Sequence, residues 1–225
     1  MLRAIITAAG YSARFRGVYK DMLPIVYNGK VTTALDVNIQ QAFNIFGADE
    51  VVIVSRSEKA AEHLKIAAQY NHTFVVPNRF EGQYDLLGSI VSGATVGGTN
   101  HDCLLMLADT VKYFKHNMPS IRFYPTFGLF VTDTPEKYSV IINGKIVTKP
   151  QDGTHKWHNA WGMVHWPGEF TMEMFHLMFE GLTYDEIFNR MIDKYGMLSF
   201  KMEKYYDLGS FKAYAEYMVE YNEQL

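Results

Sequence analysis

The feature that most constrains the fold is an apolar stretch at the start of the chain, followed by small residues and then by cations. Residues 2–7 are apolar enough to form a buried strand, and Ala8-Ala9-Gly10 follows directly. The cations come next: Arg14, Arg16 and Lys20. Small residues let backbone N–H groups approach an anion, and cations neutralise it. Since α/β sheets bind ligands beyond the carboxyl ends of their strands, this stretch predicts an anionic nucleotide there.

The order of predicted elements in the first half supports a parallel sheet. We predict a helix capped by Thr33, a strand at 50–55, a helix from Ser57 to about 70 and a strand at 73–76. This β-α-β-α-β order implies parallel strands joined by right-handed crossovers. A short helix at 85–93 and a strand at 103–107 follow.

The second half predicts shorter strands and more hairpins. Asn143-Gly144 is a strong signal for a two-residue turn between strands at 138–142 and 145–148. Further strands are predicted at 126–132, 160–165 and 198–202, and helices at 169–180, 184–195 and 210–221. No stretch has the composition of a linker, so we expect one domain over residues 1–225.

Composition excludes several classes of protein. With 225 residues, 48% of them apolar, the chain can build a core without disulfides, and the single Cys103 excludes an intrachain one. The net charge of −3 gives no basic field for nucleic acid. The opening apolar run is too short to span a membrane and lacks the plan of a signal peptide. We therefore expect a cytoplasmic protein with neither nucleic acid nor membrane as partner.

The opening stretch also resembles a known family signature. It is neither a G-x-G-x-x-G fingerprint nor a Walker A loop. It is similar to the sugar-phosphate nucleotidyltransferases, the glucose-1-phosphate thymidylyltransferase-like enzymes. Their signature is a strand, Ala-Gly or Gly-Gly, a loop to Arg, and Pro-Lys-x-Leu-Leu-Pro. The matching residues here are Ala9-Gly10, Arg14 and Lys20-Asp21-Met22-Leu23-Pro24, with Tyr19 in place of the first proline.

This resemblance implies a fold and a division of the chain. The fold is α/β, with a Rossmann-like, mixed but mainly parallel sheet flanked by helices in three αβα layers, as in the nucleotide-diphospho-sugar transferases. Residues 1–110 or so would form the nucleotide-binding half, and about 111–225 the acceptor-binding half. The alternative reading of the motif alone is an ordinary strand and turn with surface cations.

Two aspartates occupy places where the family holds Mg²⁺. Asp109 follows the strand 103–107 and Ala108. The family has glycine in place of Ala108, directly before its aspartate. Asp207 lies in Tyr205-Tyr206-Asp207-Leu208-Gly209-Ser210, which resembles the family's Trp-x-Asp-x-Gly-Thr. Taken singly, Asp109 could cap a turn and Ser210 could start a helix. Two aspartates in family order, each in its own motif, favour a shared metal site.

The predicted hairpin resembles the family's acceptor-binding segment, which ends in Glu-Lys-Pro. Lys149 and Pro150 match, and the resemblance implies that the lysine holds the acceptor phosphate. Ser139 stands in place of a sugar-contacting glycine, and Thr148 in place of a sugar-binding glutamate. The missing carboxylate changes which hydroxyl groups can be paired, so the identity of the acceptor stays open.

Three weaker matches complete the candidate site. Gly162, in Asn159-Ala160-Trp161-Gly162, resembles a strand that lines the family's acceptor site. Gln83 and Gly88 occupy the place of the segment that meets the nucleobase in the family. A plain loop with a helix cap would account for Gln83 equally well.

Taken together, the resemblance implies a Mg²⁺-dependent nucleotidyltransferase. Ala9 and Gly10 would cradle the nucleoside triphosphate, Arg14 and Lys20 would act on its phosphates, and a phosphorylated small-molecule acceptor, a sugar 1-phosphate or a compound such as phosphocholine, would be the second substrate. One alternative is a GT-A glycosyltransferase, whose usual Asp-x-Asp motif is missing at Asp109. The other is a degenerate, non-catalytic nucleotide-binding homologue. The chain could also form a homo-oligomer.

Overall fold

The strands and helices follow the predicted alternation. The computed structural model describes residues 1–10, 18–80, 85–114, 124–150 and 158–222. The strands are β1 Leu2–Thr7, β2 Pro24–Tyr27, β3 Lys30–Thr33, β4 Glu50–Ser55, β5 Thr73–Pro77, β6 Asp102–Leu107, β7 Thr110–Tyr113, β8 Thr126–Thr132, β9 Ser139–Ile142, β10 Lys145–Thr148, β11 His158–Trp166, β12 Leu198–Lys201 and β13 Lys204–Asp207. The α-helices are α1 Ala34–Asn44, α2 Ala60–Ala67, α3 Asp85–Ala94, α4 Glu169–Phe179, α5 Tyr184–Tyr195 and α6 Phe211–Asn222. Short 3-10 turns lie at Lys20–Met22, Ser57–Lys59 and Pro135–Lys137.

One mixed sheet runs through both halves of the chain. Within the described residues it has nine strands, and its main path is β10-β9-β11-β6-β1-β4-β5. The pairs of β1 with β4 and β6, and of β4 with β5, are parallel. Beyond β6, β11 pairs antiparallel with β6, β8 and β9, and β12 pairs parallel with β8. The parallel strands therefore end together at the edge where the opening loop begins.

Alternate residues of β1 face opposite layers of helices. Ile5 packs with α3, α4 and α5 on one side of the sheet, and Ile6 packs with α1 and α2 on the other. Both side chains are fully buried, as are Leu104 and Leu105 in the neighbouring β6. Burying such a side chain stabilises the fold by roughly 1.5–3 kcal/mol. The predicted three-layer αβα fold, with a mainly parallel sheet, is confirmed.

A second, smaller layer carries α6. The strands β7 and β13 pair antiparallel, β2 and β3 form a hairpin, and α6 packs over both. The hairpin turn at Asn28-Gly29 has positive φ at both residues, as its sequence predicts. Tyr217 of α6 is buried and donates from its hydroxyl to the carbonyl of Val26 at 2.6 Å. This layer contains the strand that follows Asp109 and the strand that ends at Asp207.

Local signals predict most helix starts correctly. Thr33 caps α1 by accepting from the Asp36 backbone N–H at 3.1 Å, and Thr183 forms a capping box with Glu186 at the start of α5. The prediction that Ser57 caps a helix was wrong, because Ser57 begins a 3-10 turn and α2 starts at Ala60. Among the described residues, none of the helices is both long and apolar enough to cross a bilayer.

Candidate active site

Two cavities open side by side at the carboxyl ends of the parallel strands. The first, which we call the loop cavity, has a volume of about 260 Å³ and is lined by Ala8, Ala9 and Gly10 at the end of β1. The second, the hairpin cavity, has about 280 Å³ and is lined by Ser139 and Lys149 of the β9–β10 hairpin. Leu86 and Leu107 belong to both walls. The predicted nucleotide and acceptor segments therefore face one divided cleft.

Lys20 and Asp109 stand at the boundary between the two cavities. Both residues line both cavities, and their side chains form an ion pair. Each side chain is about one-fifth exposed, so both remain within reach of a ligand. Lys20 follows the opening loop, and Asp109 follows β6, the neighbour of β1 in the sheet. A cation and a carboxylate thus meet where phosphates from either cavity would come together.

The two predicted metal ligands lie at the ends of paired strands. Asp207 is the register partner of Thr110, the residue after Asp109, in the β7–β13 pair. The Leu208 N–H donates to the carbonyl of Asp109 at 2.9 Å. Asp207 Oδ1 accepts from the Gly209 N–H at 2.7 Å, and Asp207 lines the hairpin cavity beside Asp109. The fold therefore brings together two residues that lie almost a hundred positions apart.

This donor set suits Mg²⁺. Mg²⁺ takes oxygen ligands and is usually held by one or two carboxylates together with substrate phosphates. Asp109 and Asp207 are two such carboxylates on one cavity wall. Among the described residues there is no cluster of three or more His, Cys, Asp or Glu side chains that would favour another metal. Substrate phosphates would have to complete the coordination.

Lys149 follows β10 in an uncommon backbone conformation. Its φ is +41°, and its N–H donates to the carbonyl of Tyr138 at 3.1 Å. Non-glycine residues adopt positive φ rarely, and such strain often accompanies functional sites. Lys149 lines the hairpin cavity with Lys137, Tyr138, Trp161 and Tyr184. The cavity therefore combines cations that suit a phosphate with aromatic walls.

A buried polar network in the wall of the loop cavity was not predicted from the sequence. Lys59 Nζ donates to the carbonyls of Ala8 at 3.2 Å and Gly10 at 2.8 Å, and to Asp21 Oδ1 at 3.3 Å. His63 Nε2 lies 2.6 Å from Asp21 Oδ2. Burial acts to raise the pKa of Asp21, but the His63 hydrogen bond and the Lys59 charge outweigh it and hold this pKa below its ordinary value. The network fixes the residue next to Lys20.

A second unpredicted carboxylate lies behind the hairpin cavity. Asp185, in the first turn of α5, accepts hydrogen bonds from Ser139 Oγ at 3.2 Å and from the Thr148 hydroxyl, both at Oδ2. Ser139 Oγ is also 2.9 Å from the Tyr184 hydroxyl. Burial raises the pKa of Asp185 to about 6, and the nearby charge of Lys149 opposes that shift. Sequence reasoning missed Asp185 because an acidic residue in a first helical turn has a local explanation.

Two of the weaker candidates lie outside the cavity walls. Gly88 lines neither cavity, and its carbonyl accepts from Ser92 Oγ at 2.7 Å within α3, whereas the adjacent Ser89 lines the loop cavity. Gly162 sits beneath the ring of Tyr205, where an added Cβ would collide with that ring, and it adjoins a shift of strand register in β11. Trp161 takes the cavity position instead. Arg14, Arg16 and Gln83 lie outside the described residues.

Comparison with known proteins identifies the fold. The sequence matches no protein-family model and no curated protein. A UDP-glucose pyrophosphorylase from Acinetobacter baumannii is similar in structure, with a TM-score of 0.75, 15% identity and coverage of 100% of this chain and 94% of that one. A Bacillus anthracis protein assigned as a glucose-1-phosphate thymidylyltransferase gives a TM-score of 0.78, 13% identity and coverage of 98% and 95%. A UDP-glucose pyrophosphorylase complexed with UDP-glucose gives 0.73, 18% identity and full coverage of both chains.

These likenesses confirm the predicted resemblance at the level of the fold. Identities of 13 to 18% over nearly whole chains show a shared architecture, that of the sugar-phosphate nucleotidyltransferases. They leave open the substrates of this chain, because one fold can host different chemistries.

Proposed function

We propose that this chain is a Mg²⁺-dependent nucleotidyltransferase that joins a nucleoside triphosphate to a sugar 1-phosphate and releases pyrophosphate. The observation that supports it most is the divided cleft, in which Lys20 and Asp109 belong to both cavities. A reaction between two phosphates needs two substrate sites that share one charged boundary. The fold, common to enzymes that act on sugar phosphates, supports the same assignment.

The loop cavity would take the nucleoside triphosphate. Ala9 and Gly10 at its wall leave backbone groups accessible. The Lys59 ammonium donates hydrogen bonds to the carbonyls of Ala8 and Gly10. With those carbonyls bonded, the loop offers a less repulsive surface to anionic phosphates. Arg14 stays a predicted triphosphate ligand from the same segment of sequence. Binding in this cavity would bring the α-phosphate toward Lys20.

The hairpin cavity would take the sugar 1-phosphate, with Lys149 bound to its phosphate. An acceptor phosphate oxygen would attack the α-phosphorus in line, forming the new P–O bond. The bond from the α-phosphorus to its bridging oxygen would break, and pyrophosphate would leave with the electron pair. Such a reaction depends on positioning and charge neutralisation rather than on a covalent enzyme intermediate. Lys20 would stabilise the charge that develops between the substrates.

Asp109 and Asp207 would hold Mg²⁺ at this boundary. When bound, the ion supplies charge neutralisation for the phosphates and for the leaving group. In the structure Asp109 pairs with Lys20, so the two charges balance each other. Ligand binding would give each side chain a new partner of opposite charge.

A screen for pyrophosphate release tests the proposal. Each of the four common nucleoside triphosphates would be incubated with Mg²⁺ and one of glucose 1-phosphate, galactose 1-phosphate, mannose 1-phosphate or phosphocholine. We expect pyrophosphate from at least one hexose 1-phosphate, none when the metal is chelated, and none above background from Asp207→Asn. Absence of pyrophosphate in every combination would contradict the proposal.

A further inference from the structure

One polar face of α5 fixes this helix on the edge strand of the hairpin. Asp185, Asn189 and Asp193 recur at four-residue intervals and so lie on one side of the helix. Asn189 accepts from the Ile146 N–H at 2.8 Å and donates to the Ile146 carbonyl at 2.9 Å. Asp193 pairs with Lys145 near the turn of the hairpin. The helix is thereby held in register on β10, with Asp185 at the cavity end.

At that end, Asp185 accepts hydrogen bonds from Ser139 and Thr148, the two residues that differ from the family pattern. Ser139 Oγ donates to its Oδ2 at 3.2 Å, and the Thr148 hydroxyl donates to the same atom. Asp185 is 5% exposed, and its Oδ1 has no hydrogen-bond partner among the described residues. At pH 7, above its pKa of about 6, Asp185 is ionised and can only accept, so the direction of both hydrogen bonds is set.

The direction of these bonds determines what the cavity wall presents. Ser139 has a single hydroxyl proton, and it is given to Asp185. The 2.9 Å contact between Ser139 Oγ and the Tyr184 hydroxyl must then have Tyr184 as its donor. Burial, followed by the charge of Asp185, raises the pKa of Tyr184, so this phenol keeps its proton. Ser139 and Tyr184 both line the hairpin cavity with their protons engaged in this chain of bonds.

We propose that Asp185 is a positioning residue for the acceptor, acting through Ser139 and Tyr184 so that these two hydroxyl groups accept hydrogen bonds from the acceptor without donating to it. At this part of the wall, an acceptor whose own hydroxyl groups donate is favoured. This inference rests on the proposed function and adds to it the residues that would recognise the acceptor's hydroxyl groups. It also accounts for Ser139 and Thr148, because both hydroxyl groups donate hydrogen bonds to Asp185. This carboxylate of α5 would take the part of the glutamate that is missing from the hairpin.

Calorimetric binding tests the inference without requiring turnover. Glucose, galactose and mannose 1-phosphates would be titrated with and without Mg²⁺ and the α,β-imido analogue of UTP, which cannot be cleaved. The best binder would be compared with its singly deoxygenated analogues, and with phosphocholine, which has no hydroxyl to donate. The proteins would be the wild type, Asp185→Asn, Ser139→Ala and the matched control Asp193→Asn, which removes a carboxylate from the same helix face.

We expect one deoxy analogue to bind the wild type about tenfold or more weakly than its parent, as for a lost hydrogen bond to a charge-supported acceptor. That penalty should shrink below about threefold in Asp185→Asn and Ser139→Ala and persist in Asp193→Asn. The affinity for the UTP analogue should be the same in all three variants as in the wild type. Ser139→Ala removes only one hydroxyl, so it keeps the test valid if Asp185→Asn folds poorly.

Three results would overturn the inference: no hexose 1-phosphate binds, phosphocholine binds more tightly than all of them, or the deoxy penalty is unchanged in both variants. Binding of hexose 1-phosphates with the expected pattern but no pyrophosphate release would contradict only the proposed function.

Discussion

At the scale of single residues, Asp109 and Asp207 offer the sharpest test of the chemistry. We expect Asp109→Asn and Asp207→Asn each to lower turnover by roughly 10²-fold or more, the usual loss for one transition-state charge stabiliser. The fold should persist, because the amide oxygen introduced by Asp207→Asn could still accept from the Gly209 N–H, and Asp109 is partly exposed. Initial rates of pyrophosphate release at saturating substrate measure the loss of turnover, and circular dichroism shows whether the variants stay folded.

Glu173→Gln is the matched control, since this partly exposed carboxylate pairs with Lys194 and lines neither cavity. Its turnover should stay near the wild-type value. Equal losses in all three variants would indicate a general charge effect rather than a metal site.

The two lysines separate the substrates. Lys149 lines only the hairpin cavity, so Lys149→Ala should raise KM for the acceptor while KM for the triphosphate stays within about twofold. Lys20 borders both cavities, so Lys20→Ala should lower kcat as well as weaken use of the triphosphate. Steady-state kinetics with each substrate varied in turn measures the split. If Lys149→Ala instead raised KM for the triphosphate, the assignment of Lys149 to the acceptor would be wrong.

The residues that sequence reasoning found and missed differ in the kind of signal they give. Lys20, Asp109, Lys149 and Asp207 were predicted because each lies inside a motif with several neighbouring matches. Asp185 gave no such signal, because its position in a first helical turn explains an acidic residue locally. Its role depends on α5 packing against a hairpin that precedes it by some forty residues, and no local pattern encodes that contact.

At the scale of elements, the network of Asp21, Lys59 and His63 fastens α2 to the loop after β1. Asp21→Asn should cost about 3–5 kcal/mol of unfolding free energy at pH 7, because it leaves the buried Lys59 without its counter-charge. The pKa of Asp21 is lowered in the folded state, so its contribution is complete above the unfolded pKa, near 3.8. It is lost as the pH falls through the lower, folded pKa.

Urea denaturation of wild type and Asp21→Asn between pH 7 and pH 2 measures this difference, which should narrow only below about pH 4. Glu62→Gln is the control, since its exposed carboxylate on α2 pairs only with Lys65 among the described residues. A difference between wild type and Asp21→Asn that stays constant down to pH 2 would contradict the assigned role.

Gly162 and Tyr205 couple β11 to β13, the strand that ends in Asp207. A Cβ at position 162 would collide with the Tyr205 ring, so Gly162→Ala should destabilise the protein by about 1–3 kcal/mol. It should also reduce turnover by displacing the strand that holds Asp207. In a Tyr205→Ala background the ring is absent, and the added methyl should cost nearly nothing further. Chemical denaturation of the four proteins in this cycle tests it; additive losses would refute the proposed coupling.

The elements also divide into predictable and unpredictable ones. The helix Tyr184–Tyr195 was predicted with its observed bounds and the hairpin at Asn143-Gly144 to within one residue, because turn chemistry and the helical period are local. The strands β7 and β13 were missed: each has four residues, and neither is defined until it pairs with the other across the chain. Sequence reasoning placed both aspartates in motifs but could not show the ladder that brings them together.

At the scale of the whole molecule, both cavities lie along one sheet, and ligand binding should stabilise the entire fold. A ligand that binds only the native state, at 100 times its dissociation constant, adds about 2.7 kcal/mol. For a domain of this size that corresponds to a rise in Tm of roughly 5–10 °C. We expect this rise from Mg²⁺ with the correct nucleoside triphosphate, measured by differential scanning fluorimetry. Asp207→Asn should show a smaller shift, and a shift of equal size with the metal chelated would contradict the role of Mg²⁺.

The direction of the chemistry distinguishes the two enzyme classes that remain possible for this fold. A nucleotidyltransferase should run backward with pyrophosphate and a nucleotide-sugar, because the bond broken and the bond formed are both phosphoanhydrides of similar energy. A glycosyltransferase would instead cleave the sugar from the same molecule and leave a nucleoside diphosphate. Lys20 at the boundary of both cavities, with Arg14 and Arg16 beside it in sequence, suits a triphosphate.

We therefore expect UDP-glucose or another nucleotide-sugar, incubated with Mg²⁺ and labelled pyrophosphate, to yield labelled nucleoside triphosphate. Lys149→Ala should slow this exchange, because the sugar phosphate that the exchange releases would no longer have the lysine cation to bind its phosphate. Asp207→Asn should abolish the exchange. Nucleoside diphosphate formed without any labelled triphosphate would assign the chain to the glycosyltransferases. The measurement separates the classes because exchange requires pyrophosphate and the nucleotide-sugar to bind side by side in one cleft, the arrangement that we propose at the Lys20–Asp109 pair.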